Sequence, residues 1–198
     1  MKNILFFLVL LKGVLSQESL VPTPTTSVDH CHGATCYNGG NCVADLESYS
    51  CNCAAPFKGK HCEYTLENGT LKCGSVSVGS TFFVAELNKT FTKANSSLNT
   101  ILSEGDFMNN YDFSSVCTTG VEMMSWMFSG ASLFNQDISH WDTSSVTEMA
   151  YMFNGATNFH QNLSVWRVPE ISSLPAYFAV NSPLATNTAL HPQWNRKH

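Results

Sequence analysis

The sequence predicts a small disulfide-rich β module followed by a short α/β solenoid, and two patterns carry that expectation. Six cysteines, Cys31, Cys36, Cys42, Cys51, Cys53 and Cys62, fall within 32 residues as C-x4-C-x5-C-x8-C-x-C-x8-C. So short a stretch cannot bury enough apolar surface to fold unaided, so the sulfurs are expected to act as staples in an oxidising compartment. Further on, the chain repeats itself every 25 residues. A fixed period of that length indicates stacked coils, each burying its apolar side only against its neighbours.

Residues 1–16 read as a signal peptide cut before Gln17. Lys2 precedes an apolar run from Ile4 to Leu11, and the small residues up to Ser16 place Val14 and Ser16 where a signal peptidase reads. The run is about eight residues, whereas a membrane span needs roughly 20, and Lys12 interrupts it. No later segment is long and apolar enough to span a bilayer, which predicts a freely secreted chain with no membrane span and a polar tail over 195–198. Without Lys2 and Lys12 the chain holds eight basic against fifteen acidic residues, a formal charge of −7. That balance argues against nucleic acid as a partner. Residues 17–28, with Pro22, Pro24 and four Ser or Thr between Ser19 and Thr26, suit an extended spacer.

Residues 29–64 form the cysteine module. Tyr37-Asn38-Gly39-Gly40-Asn41 supplies a turn before the third cysteine, where glycine takes positive φ without steric cost. Tyr49 precedes the fourth cysteine by two residues, and Phe57 and Gly59 lie between the fifth and sixth. Six cysteines allow fifteen pairings on sequence grounds. A zinc site is the rival reading, disfavoured by compartment and spacing. The segment Cys31 to Cys62 resembles an EGF-like domain, and the resemblance implies the pairs Cys31–Cys42, Cys36–Cys51 and Cys53–Cys62. Calcium-binding members of that family carry acidic residues before the first cysteine and an Asp or Asn two places after the third. Asp29-His30 and Ala44 depart from this, with Asp45 one place late, so no metal or other cofactor is expected. Receptor-activating members have arginine directly before the sixth cysteine, where this chain has His61, and O-fucosylated members have Ser or Thr where it has Asn41.

Residues 65–119 are expected to cap the repeats, with a helix from Ser96 to Glu104, Asn95 at its start and Gly105 closing it. Cys73 and Cys117 remain after the module takes six cysteines, and their pairing would close a loop of about 45 residues, contributing ~3 to 4 kcal/mol. An intermolecular bond is the alternative. Sequons at Asn68, Asn88, Asn95 and Asn162 are candidate glycosylation sites, three of them clustered in the cap and Asn162 inside the repeats.

Residues 120–194 hold the repeats. At an offset of 25, Val121 meets Val146, Met124 meets Met149, Met127-Phe128 meets Met152-Phe153, Gly130-Ala131 meets Gly155-Ala156, Phe134 meets Phe159 and Trp141 meets Trp166. Gln136 meets Gln161 and Ile138 meets Leu163. A third, eroded copy continues through Ile171, Leu174, Tyr177-Phe178, Leu184 and Trp194, with Val180-Asn181 in place of glycine-alanine. The spacing of Val121, Met124, Met127 and Phe128 predicts one short helix or helical turn per coil, ended by Gly130. Phe134 to Trp141 reads as a short strand or extended arc, with Trp141 stacked on Trp166. Gln136 and Gln161 are expected to satisfy backbone groups at the bend. These copies, with the lead-in Val116-Cys117, resemble the leucine-rich-repeat-like repeat of BspA-like surface proteins over about residues 116 to 194. That resemblance implies surface display, adhesion and binding of matrix or host proteins without catalysis.

No nucleophile with a partnered base, no paired carboxylates and no open metal site stand at recognisable spacing. The seven histidines, His30, His32, His61, His140, His160, His191 and His198, form no ligand motif, and the methionines from Met123 to Met152 read as core. Asp137, Asp142, Glu148 and Asn162 make at most an acidic surface strip. The expectation is a secreted, non-enzymatic modular protein that binds an extracellular protein or glycan. The alternatives are a structural matrix component and an EGF-type signalling ligand, and the sequence leaves the oligomeric state open.

Overall fold

A computed structural model of the chain describes residues 29–95 and 111–194. The expected leader and spacer, the helix over 96–104 with its closing Gly105, and the tail lie outside these. Among the described residues the regular elements are short strands and 3-10 turns, with no α-helix.

In the cysteine module β1 (Asn41–Ala44) pairs antiparallel with β2 (Tyr49–Asn52), setting Cys42 opposite Cys51. Directly opposed residues share one face of a hairpin. Cys42 is bonded to Cys31 and Cys51 to Cys36, so both staples leave the hairpin on the same side. Cys53 is bonded to Cys62, with Cα atoms 5.4 Å apart. In the turn, positive φ falls on Asn38 and Gly39 (53° and 74°). Gly40 has a different constraint: a Cβ there would sit 2.5 Å from the Cys62 sulfur.

Next comes a hairpin of β3 (Thr65–Glu67) and β4 (Thr70–Lys72). Its two-residue loop, Asn68-Gly69, has φ of 51° and 83°, the left-handed pair that matches strand twist in tight hairpins. A three-stranded sheet follows, in which β5 (Thr81–Val84) runs antiparallel to β6 (Lys89–Lys93) and β6 parallel to β7 (Val116–Cys117). Tyr64, Leu71, Phe82, Val84 and Phe91 form the core here, with the Cys73–Cys117 disulfide among them. That bridge ties the hairpin to the strand that enters the repeats, across 44 residues of sequence.

Of the short helix or helical turn expected in each repeat, the structure shows a turn, and its amides alternate direction. The N–H groups of Met124, Trp126, Phe128 and Gly130 donate to Glu148, Ala150, Met152 and Asn154 of the next copy, at 2.7 to 3.0 Å. The N–H groups between them, on Met127, Ser129 and Ala131, turn back three residues to Met124, Trp126 and Phe128. The second copy does the same, with Tyr151, Phe153 and Gly155 donating to Ala176, Phe178 and Val180. Left-handed residues at Trp126, Tyr151 and Tyr177 (φ 64°, 60° and 52°) prevent a continuous right-handed helix, so i, i+3 apolar spacing here reports a tight turn. The segment from Phe134 to Trp141 holds no strand.

Equivalent rings stack from copy to copy: Phe128 on Phe153 at 5.5 Å, Phe134 on Phe159 at 5.4 Å, and Trp141 on Trp166 at 6.1 Å with planes 2° apart. The two buried indoles donate to carbonyls 28 residues upstream, on Phe113 and Ile138, so neither N–H is left unpaired. Both ends of the phenylalanine column are closed by perpendicular rings. Phe113 meets Phe128 at 85°, and Phe178 meets Phe153 at 85°. An edge-on ring covers a face without offering a parallel one in turn, and so ends the stack. Gln136 donates to the Tyr111 carbonyl and Gln161 to that of Asn135, the backbone role their recurrence implies.

The third copy is shifted by one residue relative to the spacing of the first two. Ile171 keeps the offset of 25, its N–H turning back to Val168 as that of Val146 does to Thr143. Beyond it, the Phe178 amide turns back to Pro175 and the Ser182 amide to Ala179, matching Met152 and Ala156 at an offset of 26. The left-handed glycine position therefore falls on Asn181 (φ 58°), with Ser182 in the alanine's place. The extra residue lies between Ile171 and Pro175, where Leu174, read as a core position, is 56% exposed.

Three outcomes follow. Replacing both Cys73 and Cys117 by alanine should lower stability to urea by ~3 kcal/mol while the three bridges of the cysteine module stay intact, read by chemical denaturation and disulfide mapping. At Tyr151, glycine should be tolerated better than alanine by about 1 kcal/mol, because alanine loses the stacking and keeps the left-handed penalty. An equal effect would refute the conformation. His140 is buried, and desolvation holds its imidazole below the usual histidine range, against the pull of its bond to the Val116 carbonyl. A native value below the unfolded one favours the neutral ring, so this stability is complete above about pH 6.5 and is lost as pH falls. The fall in melting temperature between pH 7 and 5 should be smaller in His140→Gln.

Candidate binding surface

The β3–β4 hairpin lies against the repeats through the Leu71 amide, which donates to the His140 carbonyl at 2.8 Å. Threonines at the copy boundaries bond the next coil: Thr118 Oγ1 donates to the Asp142 carbonyl and Thr143 Oγ1 to that of Arg167. Beneath the junction Lys93 is buried, its ammonium donating to the Thr119 carbonyl. Desolvation pushes its pKa down, with the Asp142 charge opposing. The Asp142 carboxylate is itself buried and accepts from the Ser144 amide (3.2 Å) and hydroxyl (2.6 Å).

Between hairpin and repeats a groove of about 530 Å³ opens. Asn68, Thr70 and Lys72 form one wall, and Ser144, Ser164 and Arg167 belong to the other. A smaller recess of about 100 Å³ continues past Glu67 and Asp142. Lys72 and Glu67 stand 3.8 Å apart with both side chains nearly half exposed, a separation and exposure at which an ion pair is worth little.

A second hollow lies where the cysteine module meets the β5–β6 hairpin. Lys58 pairs with Glu86 at 2.5 Å, and the Tyr64 hydroxyl donates to the same carboxylate at 3.0 Å. The hydrogen bond from Lys58 holds Glu86 below its ordinary value, while burial and Glu86 push Tyr64 up to about 12. The Ser75 hydroxyl adds a bond to Asn38 at 3.0 Å.

One surface feature is repeated in all three copies. Trp126, Tyr151 and Tyr177 stack at 3.9 and 4.7 Å, with Trp126 and Tyr177 each 56% exposed. Left-handed backbone under an aromatic side chain costs of order 1 kcal/mol or more, so the stack offsets strain at every step.

The residues singled out in the sequence are distributed as follows. The eight cysteines form four bonds, Cys31–Cys42, Cys36–Cys51, Cys53–Cys62 and Cys73–Cys117. Asn68, Asn88, Asn95 and Asn162 are all exposed, and the Asn162 side chain accepts from the Ser164 amide. His61 Nδ1 lies within hydrogen-bond reach of the Tyr49 hydroxyl and the Thr35 carbonyl. Met124, Met127, Met149 and Met152 are buried, whereas Met123 is exposed. The acidic strip is not a single surface, since Asp142 lies inside while Asp137 and Glu148 are exposed. Among the described residues no three His, Cys, Asp or Glu side chains gather as a metal site. The groove residues carried no signal in the sequence, because Lys72 and Arg167 are 95 positions apart. The aromatic ladder did carry one, in Trp126 and Tyr151 at the repeat offset.

No described helix is long and apolar enough to cross a membrane. A stretch of 61 residues is 34% identical to the cadherin EGF LAG seven-pass G-type receptor 2 of Rattus norvegicus, covering 31% of this chain and 3% of the receptor. The disulfide-rich N-terminal region fits an EGF-like module, in keeping with that similarity. No solved structure matches the chain. Residues 85–198, more than half of the chain, match the family described as "Mycoplasma protein of unknown function, DUF285", and the chain belongs to that family.

Proposed function

We propose that this protein is a secreted, non-enzymatic modular binder of extracellular or cell-surface components, in which an EGF-like module is joined to a short solenoid. The observation that carries the reading is the aromatic ladder of Trp126, Tyr151 and Tyr177. Two half-exposed rings, Trp126 and Tyr177, flank the partly buried Tyr151 in strained backbone, and large aromatics left at a surface are the residues that dominate protein recognition. Four disulfides and a similarity to an extracellular receptor support an extracellular location. The stacking of equivalent rings and the amide bonds between copies support a solenoid divided into cap, about 65–119, and repeats, about 120–194. The resemblance of those repeats to BspA-like surface proteins supports adhesion.

The test is saturable, reversible binding of the purified mature chain to intact cells and to deposited extracellular matrix. Substituting glycine, which removes the ring and the left-handed penalty together, at both Trp126 and Tyr177 should weaken retention at least about tenfold with the melting temperature little changed, the loss typical of a central aromatic contact. Absence of saturable retention by the unsubstituted chain would refute the reading. Native material that resists washing and leaves only with the insoluble residue would identify a structural matrix component instead.

A further inference from the structure

The groove between the β3–β4 hairpin and the repeats differs in chemistry from the rest of the surface. The whole chain holds ten basic and fifteen acidic residues, yet Lys72 and Arg167 both line this groove and no carboxylate does. Among the described residues Arg167 forms no ion pair, and Lys72 has only its loose contact with Glu67. Glu67 and Asp142 line the smaller recess, which shares Lys72 and Arg167 with the groove, and the Asp142 carboxylate is turned to Ser144. A concave positive site on an acidic molecule concentrates anions there and repels them elsewhere.

The remaining lining narrows the anion. Asn68, Thr70, Ser144 and Ser164 present amides and hydroxyls, groups that both donate and accept and so match a ligand rich in hydroxyls. Val165 and Pro169 add an apolar strip suited to the C–H face of a sugar ring. A guanidinium offers the planar two-pronged geometry that carboxylate and sulfate fill. A volume of about 530 Å³ falls within the range of small-ligand sites and holds one or two sugar rings. We infer that the groove binds an acidic saccharide, a sulfated or carboxylated sugar unit of an extracellular glycan, with Arg167 and Lys72 holding the anionic group and the hydroxyl-bearing wall holding the ring. This gives a ligand class to the binding function proposed above and rests on it.

The experiment is calorimetric titration of the mature chain, produced with its disulfides formed in a host that adds no N-glycans, so that Asn68 keeps its free amide. The probes are a sulfated disaccharide, its desulfated counterpart and inorganic sulfate. The sulfated disaccharide should bind saturably, and the other two at least about tenfold more weakly. Arg167→Ala should weaken it at least about tenfold, Arg167→Lys less, and Lys60→Ala, at a base outside the groove, not at all. Arg167 is exposed, and an unchanged melting temperature in its variants excludes misfolding as the cause. No binding of the sulfated disaccharide, equal binding of the desulfated one or of sulfate, or equal loss in Lys60→Ala would each overturn the inference. Retention of Arg167→Ala on cells and matrix at the unsubstituted level would overturn it too, leaving the broader binding function standing. Loss of all retention by the unsubstituted chain would instead remove that broader function.

Discussion

The repeats rest on the alternation of their amides. In each turn every second N–H closes the turn and the others reach the next copy, so no turn satisfies its backbone by itself. The side chains follow the same rule: Phe128, Phe134 and Trp141 each lie against their own equivalents one copy later. Hydrogen bonding and ring stacking thus impose the same translation between copies. The array has to end at both sides, and it ends where Phe113 and Phe178 turn edge-on.

The junction ahead of the repeats converts an open edge into a buried one. β7 joins β6 in parallel, and the Cys73–Cys117 bridge fixes it there. Lys93 and His140 are buried at this seam and each bonds a carbonyl, of Thr119 and Val116. Both are displaced by desolvation toward the neutral form, so the seam is sensitive to proton concentration in a way the aromatic stack is not. The cysteine module is held by a separate set of contacts, Lys58 and Tyr64 on Glu86 and Ser75 on Asn38. A chain whose parts each hold only a small core gains rigidity from these seams.

Rigidity bears on binding because a surface whose geometry is already set loses little freedom on association. The exposed ladder of Trp126, Tyr151 and Tyr177 and the groove beside Arg167 lie on the same stacked copies but draw on different physics. One presents apolar rings, the other concave positive charge.

Covalent and periodic features were legible in the sequence, because each is local. Cysteine spacing marks the module, and identical residues at an offset of 25 mark which rings stand in equivalent places. The choice between a short helix and a single turn in each repeat stayed open because both share i, i+3 apolar spacing, and only the left-handed φ at Trp126 and Tyr151 decides for the turn. The one-residue shift of the third copy was hidden for a related reason: Asn181 takes the conformation of a glycine it does not resemble in type. The groove was illegible, since Lys72 and Arg167 meet only when the hairpin packs on the coils. By itself the sequence determined the repeat period and the residues that fill the stack, since both follow from near-neighbour chemistry. Tertiary structure decided the direction of each amide, the closure of the stack and the convergence of distant charges, because those depend on which surfaces meet in space.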